Sequence, residues 1–472
     1  MAHPVPSLES EFSDADLGDA RRTRRLQQIA EQASAQPAKG FPQQAGTSGA
    51  LEGTYRFLNN SKVTPEQVLA AHTERVVERA SEFASVLVLH DTTQFTFGGE
   101  HDREGLSRAT AEGKQSFLAH VSFAVSEDGQ PLGTLALESW ARLPKPKSSR
   151  SHSVAQYAPD KESERWANGV EACAEKMQGR VRRAIHVMDR EGDAYELLSA
   201  MLEHERSFIV RISHDRKLSA GRNKAAESLY EQLAEAPVLA RRTAQLADRS
   251  PSRRPKIAKV HPRRKGREAH LEIRARPVEF FIGNGSPAHF PTSLKLNAVE
   301  AREVDAPEGE PEVLWRLITT EKIDTADDVS RIVDAYRMRW RIEELFKALK
   351  TGCRFESLQL ETGRALQMAL AIYLSVAWRL LLLRWASRSM ETLPANQVLT
   401  STQLEVVTLM AKKTKRPLSD LPTAREALLV IAAMGGHLLR NGDPGWQTLG
   451  RGFRDLLLME VAFLAGREAS RM

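Results

Sequence analysis

The chain has 472 residues, more than one ordinary domain holds, so two to four domains are expected. Hydrophobic residues make up 41% of it and charged residues 27%, which is the balance of a soluble globular protein. The net charge of +6 is small for this length, so the position of the basic residues matters more than their excess. The two cysteines, Cys173 and Cys353, form no CxxC pattern, which excludes a disulfide scaffold and a zinc module.

No segment is predicted to enter a membrane. The start, MAHPVPSLESEF, lacks the basic and apolar runs of a signal peptide. The most apolar segment, residues 365–385, contains Gln367 and Arg379, so we expect a buried core helix there and not a membrane span. The low cysteine content fits a reducing compartment, and a cytoplasmic protein without a membrane partner is therefore expected.

Helices are predicted for residues 1–75. The segment FSDADLGDARRTRRLQQIAEQA has Asp and Ser caps followed by apolar residues at helical spacing, and Thr64, Pro65 and Gln67 form a capping box at the start of a second helix. Four arginines crowd the front of the first helix: Arg21, Arg22, Arg24 and Arg25. They suit a DNA-contacting helix, but an exposed face salt-bridged to nearby aspartates is an equal alternative.

Strands alternate with helices between residues 76 and 212. The apolar runs SVLVLHD and RAIHVMD end at Asp91 and Asp189, and FLAHVSFAVSEDGQPLGTLALESW predicts a hairpin with Asp-Gly in its turn. Helices are expected at residues 160–178 and in GDAYELLSAMLEHE, and a strand in SFIVRIS. This alternation predicts an α/β domain with a largely parallel sheet.

Between residues 213 and 310 the pattern changes to the alternating segments AHLEIRARPVEFF and SLKLNAVEAREV, which predict an antiparallel, β-rich insertion. Within it, residues 241–267 hold eleven Lys or Arg and one acidic residue, typical of a solvated loop or of a surface that tracks DNA phosphates. GNGSPA resembles a dinucleotide fingerprint, but a strand-like segment follows it, so a hairpin turn and no nucleotide cofactor are expected. The strand VLWRLITTE then resumes the α/β domain, and residues 353–472 look all-helical.

Carboxylates follow two of the predicted strands. In an open α/β sheet, ligands bind beyond the carboxyl ends of the strands, where Asp91 and Asp189 are expected. Aspartate is also common in turns and caps, so either residue alone is a weak signal. Together with a glutamate from a helix on the same sheet, they would form a three-carboxylate cluster suited to two magnesium ions about 4 Å apart.

That glutamate is expected in DAYRMRWRIEELFKALKTG, residues 334–352, which is predicted to be one helix. At 100° per residue, four of its side chains fall within about 60° of one another. These are Tyr336, Arg339, Glu343 and Lys350. Glu344 points about 100° away from Glu343. One face would therefore carry a carboxylate flanked by phosphate-binding cations, and Glu343 is the expected metal ligand.

The spacing Y-x2-R-x3-E-x6-K of these four residues resembles the YREK signature of bacterial cut-and-paste transposases of the insertion sequence four family. Other blocks agree: HDTT, DREGD, FIVR, WRLIT, LGDARRTRRL and EGTYRFL, with Gly-Gly and Pro-Gly-Trp near the end. The resemblance covers nearly the whole chain. It implies an α/β, ribonuclease H-like catalytic domain at residues 76–352, with the β-rich insertion at 213–310. It also implies a helical DNA-binding domain at 1–75 and a helical dimerisation domain at 353–472.

The resemblance further implies roles for single residues. Asp91, Asp189 and Glu343 would be the catalytic triad and hold two Mg²⁺ ions, for which Mn²⁺ can substitute. Tyr336, Arg339 and Lys350 would hold the phosphate near the transposon end, and Trp315 a flipped base. The other expected DNA contacts are Lys347, Arg211, Arg216, Lys217 and the four arginines at 21–25. Where relatives have a second cation two residues after Arg211, this chain has Ser213.

The expected function is that of a DDE transposase, which excises and inserts a DNA element by magnesium-dependent phosphoryl transfer. The steps are end nicking, hairpin formation and opening, and strand transfer. The expected partners are double-stranded DNA, as transposon ends and as target, and a second copy of the chain in a synaptic complex with two ends. The alternatives are a nuclease that cuts without joining, and a catalytically silent inhibitor or domesticated derivative that only binds DNA.

Overall fold

A computed structural model describes residues 6, 8–99, 101–108, 113–142, 164–216, 218, 228–246, 248, 263–282, 289–389 and 392–469. The helices of the N-terminal part are α1 (Leu8–Glu11), α2 (Ala20–Ala35), α3 (Phe41–Ala45), α4 (Ser48–Leu58) and α5 (Pro65–Ser81). The helices in the middle are α6 (Glu164–Met177), α7 (Tyr195–Glu203), α8 (Leu229–Glu235), α9 (Ala326–Met338) and α10 (Trp340–Lys347). The C-terminal helices are α11 (Gly363–Ser389), α12 (Ser401–Thr414), α13 (Ala424–Met434) and α14 (Trp446–Ala469).

The strands are β1 (Val86–Phe97), β2 (Gln115–Ser126), β3 (Pro131–Trp140), β4 (Ala184–Met188), β5 (Ser207–Arg211), β6 (Val238–Leu246), β7 (Arg267–Phe281), β8 (Ser293–Val304) and β9 (Leu314–Thr319). Short 3-10 segments lie at Arg190–Gly192, Phe355–Ser357, Ala395–Gln397 and Leu439–Asn441, and a π-helix spans Ala348–Gly352.

The chain divides into two compact units. Unit 1 holds Met1–Ser149, Gly169–Arg183 and Trp340–Met472, and unit 2 holds Arg150–Asn168 and Ala184–Arg339. This division into two units does not test the three domain ranges expected from the sequence, which stay a prediction. The predicted helices are confirmed at both ends, in the capping box at Thr64 and in the helical segments after residue 353.

Unit 1 contains the antiparallel strands β1, β2 and β3. The predicted hairpin is confirmed, because β2 pairs with β3 and Gly129 turns the chain with φ 86°, which glycine adopts without strain. The prediction that the first strand ends at Asp91 is wrong. Strand β1 continues to Phe97 because the segment DTTQFTF pairs with β2 residue by residue, with Asp91 opposite Val121.

Helix α11 forms the core of unit 1, as predicted for the most apolar segment. Within the described part of the chain it is the one helix long and apolar enough to cross a membrane, and 89% of its apolar window is buried inside the protein. Its two largest fully buried side chains, Trp378 and Tyr373, have hydrogen-bond partners. The indole N–H of Trp378 donates to the Pro131 carbonyl at 3.0 Å, and the Tyr373 hydroxyl accepts from the Gln44 amide at 2.8 Å.

Unit 2 is built on a mixed sheet with the strand order β4-β5-β9-β8-β7-β6. Strands β4 and β5 are parallel, and the other pairs in this order are antiparallel. The antiparallel strands expected between residues 213 and 310 are confirmed. The prediction of a largely parallel sheet is wrong, because β9 returns antiparallel to β5 and the segment β6–β8 extends the sheet from it. Most of the basic stretch, residues 249–262, and all of GNGSPA lie outside the described residues.

A buried carboxylate joins α1 to the rest of unit 1. The side chain of Glu11 is 1% exposed, and it accepts two hydrogen bonds from Arg79, at 2.8 and 3.0 Å. Nδ1 of His72 lies 2.7 Å from the same carboxylate, while Nε2 accepts the backbone N–H of Thr134 at 3.0 Å. Because Nε2 accepts, the proton of a neutral imidazole sits on Nδ1 and is donated to Glu11.

This geometry explains both pKa shifts. Burial lowers the pKa of His72, although the Glu11 carboxylate acts in the opposite direction. Burial raises the pKa of Glu11, but the hydrogen bonds and charges of His72 and Arg79 outweigh it and bring that pKa to about 2.

Acidification is therefore expected to destabilise unit 1 in two steps. Both pKa values are lowered on folding, so the unfolded chain binds more protons than the folded chain as the pH falls. The contribution of His72 to the stability of the fold is complete above pH 6.5, the usual pKa of this side chain, and is lost as the pH falls below it. The contribution of Glu11 is lost between pH 4.5 and about pH 2. We expect the midpoint temperature of thermal unfolding to decrease as the pH is lowered from about 7 to about 5. The variant His72→Gln is expected to lose this part of the pH dependence.

The matched control is His204→Gln, because His204 is exposed. This variant is expected to keep the wild-type dependence of the unfolding midpoint on pH. An unchanged slope in His72→Gln would contradict the assignment.

Candidate active site

Two of the three predicted carboxylates belong to unit 1. Asp91 lies in the middle of β1, and Glu343 lies in the first turn of α10, which packs on β1. The buried side chains of Ile342 and Leu345 anchor α10 and fix which way it faces. Both carboxylates are half-buried, and Oδ1 of Asp91 accepts the backbone N–H of Thr92 at 2.8 Å. Because α10 packs on β1, the two elements that carry Glu343 and Asp91 lie against each other.

The ammonium of Lys350 completes this group from the π-helix. It donates to the carbonyl of Gln94 on β1 at 2.7 Å. Burial lowers the pKa of Lys350, while the carboxylates of Glu356 and Asp91 act to raise it. The charge of Lys350 therefore interacts with the carboxylate of Asp91.

The neighbouring glutamate has structural partners. Glu344 is buried and forms ion pairs with Nη1 of Arg341 at 2.7 Å and with Nη1 of Arg384 at 3.3 Å. Arg384 lies on α11, so Glu344 joins α10 to the core helix. This arrangement gives Glu344 a structural role.

The prediction of one continuous helix over residues 334–352 is wrong. Helix α9 ends at Met338 and α10 begins at Trp340, and the boundary between the two units falls in the same place. After Lys347 the chain enters the π-helix, in which the N–H of Cys353 bonds to the carbonyl of Ala348 at 2.7 Å. A π-turn holds more residues than an α-turn, so a count of 100° per residue no longer gives the direction of a side chain.

Unit 2 gathers five of the predicted site residues. Asp189 follows β4 directly, as expected. Burial raises the pKa of Tyr336, whereas the charges of Arg211 and Arg339 and a hydrogen bond from Arg211 lower it, and Asp189 acts to raise it. The ring of Trp315 meets the ring of Tyr336 edge-on, with centroids 5.7 Å apart. The phenol of Tyr336 therefore contacts the ring of Trp315 and interacts electrostatically with two guanidinium groups and one carboxylate.

Sequence reasoning missed Asp193, the second aspartate of DREGD. Its side chain is fully buried and forms an ion pair with Arg216, which is 13% exposed. It also accepts the backbone N–H and the hydroxyl of Ser213, at 2.7 and 2.9 Å. Ser213 and Arg216, considered above for their DNA contacts, therefore anchor the loop after β5. Lys217 lies outside the described residues.

The arginines of α2 differ in their surroundings. Arg21 forms an exposed ion pair with Asp19 at 3.0 Å, and Nη1 of Arg22 donates to the carbonyl of Leu17 at 2.8 Å. Arg24 is exposed. One of the four arginines thus forms the expected salt bridge, and contact of this face with DNA stays a prediction.

Arg25 and Lys347 each contact another element or ring. A Cβ built on Gly53 of α4 would lie 2.7 Å from Cζ of Arg25, so the glycine leaves room for this guanidinium. Nζ of Lys347 lies 4.4 Å from the ring centroid of Trp340, whose side chain is 51% exposed. In these two contacts, Arg25 lies against a glycine and Lys347 lies over an aromatic ring.

Two family models match the chain. Residues 6–63 match Transposase DNA-binding, and residues 149–378 match Transposase DDE domain. These two matches support a DDE transposase. The first covers α1 to α4 with the four arginines of α2, and the second includes Asp189 and Glu343, while Asp91 lies outside both.

DDE transposase domains generally use divalent metal ions. Among the residues that the structure describes, no three His, Cys, Asp or Glu side chains are grouped so that they could hold a metal. The half-buried carboxylates of Asp91 and Glu343 are hard oxygen donors, the type that magnesium prefers. The chemistry of this donor pair therefore fits a divalent ion.

The buried ion pair of Asp193 with Arg216 gives a stability prediction. Asp193→Asn leaves the Arg216 guanidinium without its counter-charge, and breaking a buried ion pair in this way costs about 3 kcal/mol. We expect a lower midpoint of thermal unfolding and faster proteolysis of the chain after β5. Glu191→Gln, an exposed acid in the same turn, is the control and is expected to change neither measurement. Equal behaviour of the two variants would contradict the structural role of Asp193.

Proposed function

We propose that this DDE transposase excises and inserts a DNA element by metal-dependent phosphoryl transfer, as a member of the YREK group. The observation that carries the proposal is the packing of α10 on β1, which brings the elements of Glu343 and Asp91 together beside the ammonium of Lys350. Two carboxylates and a cation at one strand suit a reaction in which a phosphodiester is attacked.

In this proposal Asp91, Asp189 and Glu343 hold two divalent ions, with magnesium as the first candidate. Such ions, when bound, supply Lewis-acid stabilisation of the attacking and leaving oxygens of a phosphoryl displacement. The half-buried position of Glu343 and the engagement of Glu344 with two arginines support the choice of Glu343.

The remaining residues bind and orient DNA. Lys350 neutralises the phosphate at the cut end, and Arg339 with Tyr336 contacts the same backbone. Trp315, beside Tyr336, accepts a flipped base by stacking, which is worth about 1–3 kcal/mol per base. Arg211 orients Tyr336, which the hydrogen bond between them supports.

Every step in the proposed sequence is the same in-line displacement with a different nucleophile. Water first displaces the 3′-oxygen of the element, which leaves as a hydroxyl. That hydroxyl attacks a phosphodiester of the opposite strand, displaces the 3′-oxygen of the flanking DNA and closes a hairpin. A second water reopens the hairpin by displacing the 3′-oxygen of the element, which again leaves as a hydroxyl. The free 3′-hydroxyl then attacks target DNA. Two such ends must be held together, so the active species in this proposal is a homodimer on DNA, within the bacterial cytoplasm.

The experiment compares wild type, Glu343→Gln and Glu344→Gln on duplex DNA that carries the element's own flanking sequence, with magnesium. We expect nicks and hairpins from the wild type. For Glu343→Gln we expect a loss of ~10³-fold or more, because several kcal/mol of transition-state stabilisation disappear at about 1.4 kcal/mol per tenfold. The unfolding midpoint of Glu343→Gln is expected to stay close to that of the wild type.

Glu344→Gln is the matched control, one residue away. It is expected to cut DNA at temperatures where it is folded, but to unfold at a lower temperature because Arg341 and Arg384 lose their partner. If the wild type binds DNA and does not cut it, the chain is a DNA-binding regulator and the proposed function is wrong. If both glutamate variants cut equally, the assignment of Glu343 is wrong.

Trp315 gives a step-specific prediction. Trp315→Ala removes the stacking surface, so hairpin formation is expected to fall by about 5- to 150-fold while first-strand nicking continues. Trp315→Phe keeps an aromatic ring against Tyr336 and is expected to restore most hairpins. Parallel loss of nicks and hairpins in Trp315→Ala would show that the residue acts through packing alone.

A further inference from the structure

A pocket in unit 1, here called the basic pocket, concentrates positive charge next to Lys350. Its volume is about 490 Å³. Five of its lining residues are cationic, and no carboxylate is among the lining residues: Lys39, Lys350, Arg354, Arg451 and Arg454. These cations come from three separate segments of the chain, so tertiary packing and not a local charge run creates the site.

A glycine on α14 allows a close approach between two of these segments. Gly450 on α14 faces Gly352 at the end of the π-helix, and a Cβ built on Gly450 would lie 3.3 Å from the Gly352 carbonyl oxygen. Helix α14 can therefore approach the π-helix closely, which brings Arg451 and Arg454 to the wall of a pocket that Lys350 and the residues after it also line.

Arg354 has a backbone conformation that arginine rarely adopts. Its φ is 51°, in the left-handed region that glycine occupies without strain. Its carbonyl accepts the N–H of Ser357 at 2.9 Å and the hydroxyl of the same residue at 2.7 Å, which holds the turn. A long charged side chain at a position that suits glycine carries backbone strain, and here it places an exposed guanidinium at the wall of the pocket.

Little in the described structure neutralises the pocket. Arg454 pairs with Asp455 at 2.6 Å. Across the described residues, no ion pair joins Lys39, Arg354 or Arg451 to a carboxylate. The pocket therefore keeps a surplus of positive charge on a concave surface, which is the electrostatic form of a phosphate site.

An adjoining pocket of about 460 Å³ extends this surface toward α4. The two pockets share Ala38, Lys39 and Arg354, and the second one reaches Tyr55. Residue 55 lies in the stretch that matches Transposase DNA-binding, and Lys350 lies beside Asp91. A cationic surface thus runs from the candidate catalytic carboxylates to the candidate DNA-binding helices within one unit.

We propose that the basic pocket binds the sugar–phosphate backbone of the end DNA next to the scissile position, through Arg354 and Arg451 with Lys39 and Arg454 in support. The inference deepens the proposed function and rests on it for the identity of the DNA. The contacts are to phosphate and are independent of base sequence, so they position the duplex and do not read it.

The test uses the full chain with Glu343→Gln as background, so that binding is measured without cutting. Arg354→Gly removes the guanidinium and suits the φ of 51°, so the unfolding midpoint is expected to stay equal or to rise. Affinity for the end duplex and for an unrelated duplex of equal length is expected to fall about tenfold in parallel. The slope of log affinity against log salt is expected to fall by about 1 for each phosphate that the variant no longer neutralises.

Arg451→Gln is expected to give the same result. Lys412→Gln is the matched control, because Lys412 is an exposed cation of unit 1 outside the pocket, and its variant is expected to bind both duplexes like the background protein. Loss of stability in Arg354→Gly would show that the side chain is structural, and wild-type affinity with an unchanged salt slope in both arginine variants would overturn the proposal.

A second arm separates DNA from small anions. Pyrophosphate is added during thermal unfolding of the background protein and of Arg354→Gly. If pyrophosphate raises the midpoint only when Arg354 is present, while DNA affinity is unchanged by the substitution, the pocket is a small-anion site and the proposal is wrong.

The outcomes also separate this inference from the proposed function. If the arginine variants bind DNA more weakly and the wild type does not cut DNA, the proposed role of the basic pocket is supported and the proposed catalysis is wrong. If the wild type cuts DNA and the substitutions of Arg354 and Arg451 leave DNA affinity unchanged, the proposed catalysis is supported and the proposed role of the basic pocket is wrong. Absence of any DNA binding by the wild type rejects both.

Discussion

The carboxylate of Glu11 is shielded from water, and a buried charge of this kind is tolerated only when donors surround it. Its donors are Arg79 and the neutral imidazole of His72, both on α5, and His72 accepts in turn from Thr134 on β3. The guanidinium of Arg79 also lies 4.3 Å from the ring centroid of Trp378 on α11. One carboxylate therefore fixes α1, α5, β3 and α11 against one another, and β1 belongs to the same antiparallel sheet as β3.

That rigid support is what the candidate site needs. Catalytic groups must be held close to their working geometry by side chains that cannot themselves move. Asp91 sits in the middle of a strand paired along its whole length, and Glu343 sits on a helix anchored by buried apolar residues. The π-helix after α10 departs from regular geometry where Lys350 reaches β1 and where α14 approaches Gly352. The same irregular turn thus serves the carboxylates on one side and the basic pocket on the other.

Charged residues in this protein divide into two groups by burial. Glu344 with its two arginines, and Asp193 with Arg216, are buried pairs whose disruption destabilises the fold. Glu343 is half-buried and Arg354 is exposed, and we expect their substitution to lower the unfolding midpoint less than disruption of the buried pairs does. A functional change and a structural change at adjacent residues are therefore distinguishable by comparing activity with the unfolding midpoint.

The sequence by itself determined the helical ends, the hairpin β2–β3, the antiparallel strands β7 and β8 and the buried helix α11. These depend on local signals: capping residues, an Asp-Gly turn, alternation with a period of two, and a long apolar run. It also singled out Asp189 at the end of a strand and Glu343 over Glu344, a choice that the burial of Glu344 supports.

Tertiary structure decided the rest. Strand β1 runs past Asp91 because β2 offers it a partner, and β9 turns the sheet antiparallel because of a neighbour that lies about a hundred residues away in sequence. The roles of Asp193 and of the five cations of the basic pocket depend on residues that are distant in the chain. Periodicity and spacing describe how each residue relates to its neighbours in sequence, whereas burial and ion pairing depend on which segments meet in space.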